Sequence, residues 1–144
     1  MNTNKTYIEK KNTNNSWYII DAKEKKLGRL STNIAKILKG KNEKCYSSNI
    51  NHNNYIIIIN STKIIVTGQK NKQKLYKRHS GRPGSMKIET FDELQKRIPN
   101  RIIEKAIKGM LPKGRLGRDL FTQIKIYEDD RHPHDAQNPQ LVEL

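Results

Sequence analysis

The chain has 144 residues, with 29 Lys and Arg against 14 Asp and Glu, and a formal net charge of +15. Its length points to one domain, and its 33 Leu, Ile, Val and Phe residues allow a small core under a large basic surface. A longest apolar run of only 55–59 excludes a membrane helix, the polar first fifteen residues exclude a secretory signal, and a lone Cys45 excludes an internal disulfide or a cysteine-based zinc site.

Residues 1–15 are polar and are expected to form a flexible arm. Trp17-Tyr18-Ile19-Ile20 predicts a short strand ending at Asp21. Leu27, Leu30, Ile34, Ile37 and Leu38 then recur at helical spacing, with Gly40 placed to end that helix and Arg29, Lys36 and Lys39 on its opposite side. The β-branched run 55–59 predicts a strand apolar on both faces, which belongs inside a sheet covered by helices. Ile64-Ile65-Val66 is a further short apolar element before Gly68. Thr90-Phe91-Asp92-Glu93 has the form of a capping box, with Phe91, Leu94 and Ile98 as the apolar side of the helix it starts. Pro99 stops that helix, and Asn100 is placed to cap the next. There Ile103, Ala106, Ile107 and Met110 form one stripe, and Arg101, Lys105 and Lys108 form another nearly opposite. Gln123 to Tyr127 alternates like a half-buried strand, and the segment after it is acidic and punctuated by proline. Strands alternating with helices predict an α/β fold. The domain limits are an arm at 1–15, a single α/β domain at 16–127 and an extended tail at 128–144.

Charge is unevenly distributed. Residues 1–118 hold 27 bases and 8 acids, whereas 119–144 hold 2 bases and 6 acids. The stretch 61–88 carries Lys63, Lys70, Lys72, Lys74, Lys77, Arg78, Arg82 and Lys87 with no acid at all. A solvated face normally mixes signs, so this stretch is expected to face phosphates. Two runs interleave glycine with bases: His79-Ser80-Gly81-Arg82-Pro83-Gly84-Ser85, and Lys113-Gly114-Arg115-Leu116-Gly117-Arg118. Glycine lets backbone N–H groups approach a phosphate, and the neighbouring cations supply charge. Neither run is a Walker loop. His132 and His134, near Asp129, Asp130 and Asp135, raise the alternative of a metal-dependent nucleic-acid enzyme, but they lack the helical frame of an HExxH site. Exposed aromatics are not clustered in sequence, so contacts with phosphates, sugars and helical shape are expected rather than stacking on splayed bases. No cofactor, membrane or small-molecule substrate is indicated.

The run 109–118, reading GMLPKGRLGR, closely resembles the signature of the large ribosomal subunit protein thirteen family in its bacterial and plastid form. The blocks Trp17 to Ala22, Leu27-Gly28-Arg29-Leu30, Val66-Thr67-Gly68, 76–84, and His132-Pro133-His134 with Ala136-Gln137 are similar to further blocks of that family, in the same order. The resemblance implies a three-layer α/β/α core around a mostly parallel four-stranded sheet. It also implies a structural, non-catalytic large-subunit protein that binds rRNA early in assembly, beside other ribosomal proteins. The rRNA-facing residues expected on these grounds are Arg29, Lys36, Lys39, Lys70, Lys72, Lys74, Lys77, Arg78, His79, Ser80, Arg82, Arg101, Lys105, Lys108, Lys113, Gly114, Arg115, Gly117, Arg118, His132 and His134. The stretch 47–54 departs from the family pattern, and no contact is assigned to it. Abundant Ile, Lys and Asn with only 4 Ala match an A/T-rich genome, and the 78–84 block resembles cyanobacterial and plastid versions. A plastid ribosome is therefore the expected location, with a bacterial cytoplasm as the alternative.

Overall fold

The computed structural model describes residues 15–44 and 46–142. The polar arm expected at 1–15 lies, apart from residue 15, outside the described residues, as does Cys45.

The first strand, β1 (Ser16–Asp21), runs into helix α1 (Leu27–Leu38) and then strand β2 (Asn54–Ile59), which lies parallel to β1 with Trp17 opposite Tyr55. The apolar spacing seen in sequence becomes the buried side of α1, where Leu27, Leu30, Ile34, Ile37 and Leu38 all lie in the core. Gly40 ends α1 as expected. Its φ of +69° allows the Gly40 N–H to reach the Ile37 carbonyl and the Lys41 N–H to reach that of Lys36. Ile56, Ile57 and Ile58 of β2 are wholly buried, as a strand covered on both faces requires.

Residues 64–66 do not form a separate strand. Ile65 pairs in a single parallel bridge with Lys26, and its carbonyl accepts the Leu27 N–H at 2.9 Å, so this segment is fastened to the start of α1. A short helix, α2 (Lys70–Gln73), leads into an antiparallel hairpin of β3 (Leu75–His79) and β4 (Met86–Thr90). The sequence reading did not identify this hairpin. Its strands are short and largely exposed; Met86 and Ile88 alternate with Lys87 and Glu89 on β4, but β3 shows no such alternation and neither strand buries a full apolar face.

Helix α3 (Phe91–Arg97) opens with the expected capping box: the Thr90 hydroxyl accepts the Glu93 N–H, and the Glu93 carboxylate accepts the Thr90 N–H at 2.8 Å. Two expectations nearby are corrected. Ile98 leaves the helix, kept out of the helical conformation by Pro99, and is 40% exposed. Pro99, not Asn100, takes the cap position of α4 (Asn100–Met110), and the Asn100 side chain instead accepts a hydrogen bond from the Ser61 hydroxyl. On α4 the buried side is Ile102, Ile103 and Ile107, because both α1 and α3 pack against it; Met110, expected in the apolar stripe, stays exposed.

The run 113–118, with its glycines interleaved with bases, contains the start of helix α5 (Arg115–Thr122), which Leu120 anchors in the core. Strand β5 (Ile124–Ile126) follows, parallel to β2. Finally β6 (Gln140–Leu141) pairs parallel with β1, so the tail returns to the sheet. The sheet order is β5-β2-β1-β6, with every pairing parallel. The chain steps from β1 to β2 to β5 in one direction, and right-handed crossovers therefore put α1 and the helices before β5 on one face. Ile20, Ile56 and Ile58 form the core on that face. The return from β5 to β6 crosses the other face, where His134 lies against Trp17. The layer on that side is irregular apart from a single 3-10 turn at Asp135–Gln137.

Candidate nucleic-acid interface

Helix α4 is the centre of the basic side. Its buried isoleucines belong to the core, where α1 and α3 pack on the helix, which leaves Arg101, Lys105 and Lys108 exposed along the outer face. The Lys105 ammonium stands 4.9 Å from the centre of the Tyr76 ring on β3, and Lys74 stands 5.7 Å from the same ring. Tyr76 packs inward against Phe91, and burial raises its phenol pKa. The Lys108 ammonium lies 5.7 Å over the Phe121 ring of α5. Two aromatic rings thus tie the cations of α4 to the hairpin on one side and to α5 on the other.

The hairpin adds an unusual pair. Arg78 and Lys87 are directly opposite each other across the two strands. Like charges in that relation repel. Glu89, the single acid of the hairpin, is taken by Arg97 at 2.7 Å, and Glu104, the single acid of α4, lies 3.4 Å from Arg101. Around the hairpin turn, Gly81 and Gly84 adopt φ of +95° and +73°, and the Gly81 N–H donates to the His79 Nδ1. An open cleft lies between Arg78, His79, Ser80 and Lys87. Lys77 and Arg82 are exposed on the same hairpin, and Lys70 and Lys72 are exposed on α2.

On α1, Arg29 and Lys36 are exposed. Lys39 is half-buried, and its ammonium donates to the Met110 carbonyl at 3.1 Å, closing the end of α4. It therefore has a structural task within the chain, which its place on the polar side of α1 did not reveal. Lys113, Gly114, Arg115 and Arg118 are exposed where α4 passes into α5. Gly117 differs from them. It lies inside α5 and is buried, and a Cβ there would meet the Pro112 carbonyl oxygen at 1.7 Å. Close packing, and not approach to a phosphate, requires this glycine.

His132 and His134 lie apart from the basic side, on the opposite face of the sheet. His134 Nε2 is 2.7 Å from the Tyr127 hydroxyl, and its ring is 5.5 Å from Trp17, which stacks on Tyr55 at 4.5 Å. His132 Nδ1 is 3.4 Å from Asp135. These rings fasten the tail to the sheet, and among the described residues no three His, Cys, Asp or Glu side chains converge as metal donors. The aromatic cluster was not visible in sequence because its members come from β1, β2 and the tail. The divergent stretch 47–54 is also used internally. The Asn54 amide donates to the Ile37 carbonyl and to Glu43, and His52 is buried 3.0 Å from Glu43, directly under Gly40. Sequence reasoning missed Lys26 and Tyr76, which reach the basic side only through the bridge at Ile65 and the hairpin register.

A profile of the family described as ribosomal protein L13 matches residues 15–133. The chain is 56% identical over 137 residues to the large ribosomal subunit protein uL13c of Porphyra purpurea, spanning 95% of this chain and 96% of that one. It is 58% identical over 137 residues to uL13c of Pyropia yezoensis, with the same coverage. It is also 59% identical over 128 residues to the large ribosomal subunit protein uL13 of the cyanobacterium Crocosphaera subtropica, spanning 89% of this chain and 85% of that protein. A match covering most of the chain, on an α/β fold of the expected kind, places the protein in the ribosomal protein L13 family, structural and non-enzymatic components of the large ribosomal subunit.

Proposed function

We propose that the protein occupies its place in the large subunit by binding large-subunit rRNA through phosphate and shape contacts, and that it supports early subunit assembly. The observation that carries this reading is the single basic side. Lys74, just after α2, and Lys105 of α4 stand over the Tyr76 ring of the hairpin, and Lys108 of α4 stands over the Phe121 ring of α5, while Glu89 and Glu104 are held by arginines. A surface of this kind is costly in isolation and favourable against a polyanion. Arg29, Lys36, Lys70, Lys72, Lys74, Lys77, Arg78, His79, Ser80, Arg82, Arg101, Lys105, Lys108, Lys113, Gly114, Arg115 and Arg118 are the contact residues of this proposal. Neighbouring ribosomal proteins are its further partners. Relatives from red-algal and cyanobacterial sources support a ribosome of plastid or cyanobacterial type.

Sedimentation of tagged full-length protein from lysate tests the proposal. Co-migration with large subunits at moderate salt is expected, with loss of co-migration in a variant lacking the basic side chains of α4 and the hairpin. A wild-type chain that stays at the top of the gradient would overturn it.

A further inference from the structure

We propose that a groove between the start of α1, the bridge at Ile65 and the end of α4 receives one unpaired nucleotide of the rRNA, with its base on an apolar floor and its phosphates on a cationic rim. This rests on the rRNA-binding proposal above and adds which element of the RNA is held.

The groove has a volume of about 400 Å³, within the range of roughly 300–1,000 Å³ typical of small-molecule sites. Leu27, Ile65, Val66, Ala106 and Met110 give it an apolar lining, and Ile65 and Met110 remain 45% and 38% exposed although both are large apolar side chains. Lys26, Arg29, Lys70 and Lys74 stand around it, and no acidic residue lines it. The first turn of α1 opens here without an acidic side chain and without a side-chain cap, so the positive end of that helix adds to the field.

The two halves of the groove ask for different chemistry. Four cations without an acid match a phosphate-bearing partner. An apolar floor matches a flat, uncharged face. A base inside a duplex offers neither of its faces, because both are stacked, whereas an unpaired base can be turned out to present one. A single nucleotide carries both features at the spacing of one groove. A protein partner would have to bring several acids to satisfy the rim as well as an apolar side chain for the floor.

Photo-crosslinking in assembled large subunits tests this. Full-length protein carries Ile65→p-benzoylphenylalanine or Met110→p-benzoylphenylalanine, with Arg82→p-benzoylphenylalanine on the hairpin as a position outside the groove. Both floor positions should crosslink to the same unpaired nucleotide, and the hairpin position should crosslink to rRNA elsewhere. In subunits carrying a Lys70/Lys74 double Ala variant, chemical probing should show that nucleotide losing its protection. Floor crosslinks that fall on paired nucleotides, on a protein or on nothing, while the hairpin position still reaches rRNA, would overturn the groove proposal alone. Absence of rRNA crosslinks from all three positions would overturn the rRNA-binding reading with it.

Discussion

Three glycines show how one hydrogen atom can be read in different ways. Gly114 and Gly117 stand in the same basic run, yet a Cβ at Gly114 meets nothing within 4 Å, while one at Gly117 collides with the Pro112 backbone. Gly117→Ala should therefore destabilise the protein by about 1–3 kcal/mol in chemical denaturation, the range for overpacking a tight contact, and Gly114→Ala should change little. Equal stability of the two variants would show that the contact with Pro112 relaxes freely. Gly40 is constrained twice, by its left-handed backbone and by the His52 ring 2.4 Å from where a Cβ would be. The Thr90–Glu93 box gives a pH-dependent counterpart. The Glu93 carboxyl titrates below its ordinary value, first because it accepts the Thr90 N–H and then through the Thr90 side chain. A depressed folded-state pKa means the contribution is complete above the unfolded value of about 4.3 and is lost as pH falls through the lower folded value. Thr90→Ala should cost about 1 kcal/mol near neutral pH. Glu93→Gln should flatten the acid limb of the stability profile, and an unchanged limb would place its origin elsewhere.

Elements differ in how far their sequence betrays them. α1, α3 and α4 bury one side and expose the other, so helical spacing survives in the order of residues. α5 is hidden because its glycines imitate a loop, although Leu116 and Leu120 already stand four apart and Leu120 is buried. On the hairpin, exposed Leu75, Met86 and Ile88 share one face, but Lys77 and His79 interrupt it, so the apolar signal is weak. Its Arg78–Lys87 pair yields a prediction with two signs. Lys87→Ala removes a repulsion, so the free protein should keep or gain stability, on the scale of 0.2 to about 1 kcal/mol for cross-strand pairs. The same change should weaken rRNA binding, as measured by filter retention on a folded fragment. A loss of stability would mean that the pair is bridged within the protein. At the other end of the interface, a Lys113/Arg115/Arg118 triple Ala variant should stay within about 0.5 kcal/mol of wild type, since all three side chains are exposed. It should nonetheless bind rRNA poorly, and its salt slope should shallow by roughly 0.7–0.9 for each phosphate that is no longer neutralised. Normal assembly of this variant into subunits would remove the run 113–118 from the interface.

For the molecule as a whole, the net charge of +15 makes salt act in opposite directions on two measurements. Self-repulsion is screened as salt rises, so the melting temperature of the free protein should increase. rRNA affinity should fall over the same range, on the order of 10³–10⁵ between about 50 and about 200 mM if six to ten phosphates are neutralised, a scale taken from duplex DNA. A flat affinity curve would mean that the cations face water in the complex. That the chain carries a basic surface was legible in composition alone. Its location was not, because it depends on which cations the crossovers bring to the α4 side. The same topology carries His132 and His134 to the far face and turns Lys39 inward to the end of α4.

The strand order β5-β2-β1-β6 also sets a timetable. As the chain leaves the ribosome that makes it, β1, β2 and β5 emerge in the order in which they stack, so each strand finds its neighbour waiting. β6 must close on β1 across nearly the whole chain, and its cost of closure is the largest of the three pairings. Until it does, the outer edge of β1 offers unpaired N–H and C=O groups, and Trp17, stacked on Tyr55, lacks the ring of His134 against it. A newborn chain stalled before residue 128 would thus hold most of its core while presenting a bare strand edge beside an uncovered aromatic face. Chains released at that length should associate with one another in a concentration-dependent way, whereas chains extended through residue 142 should remain single.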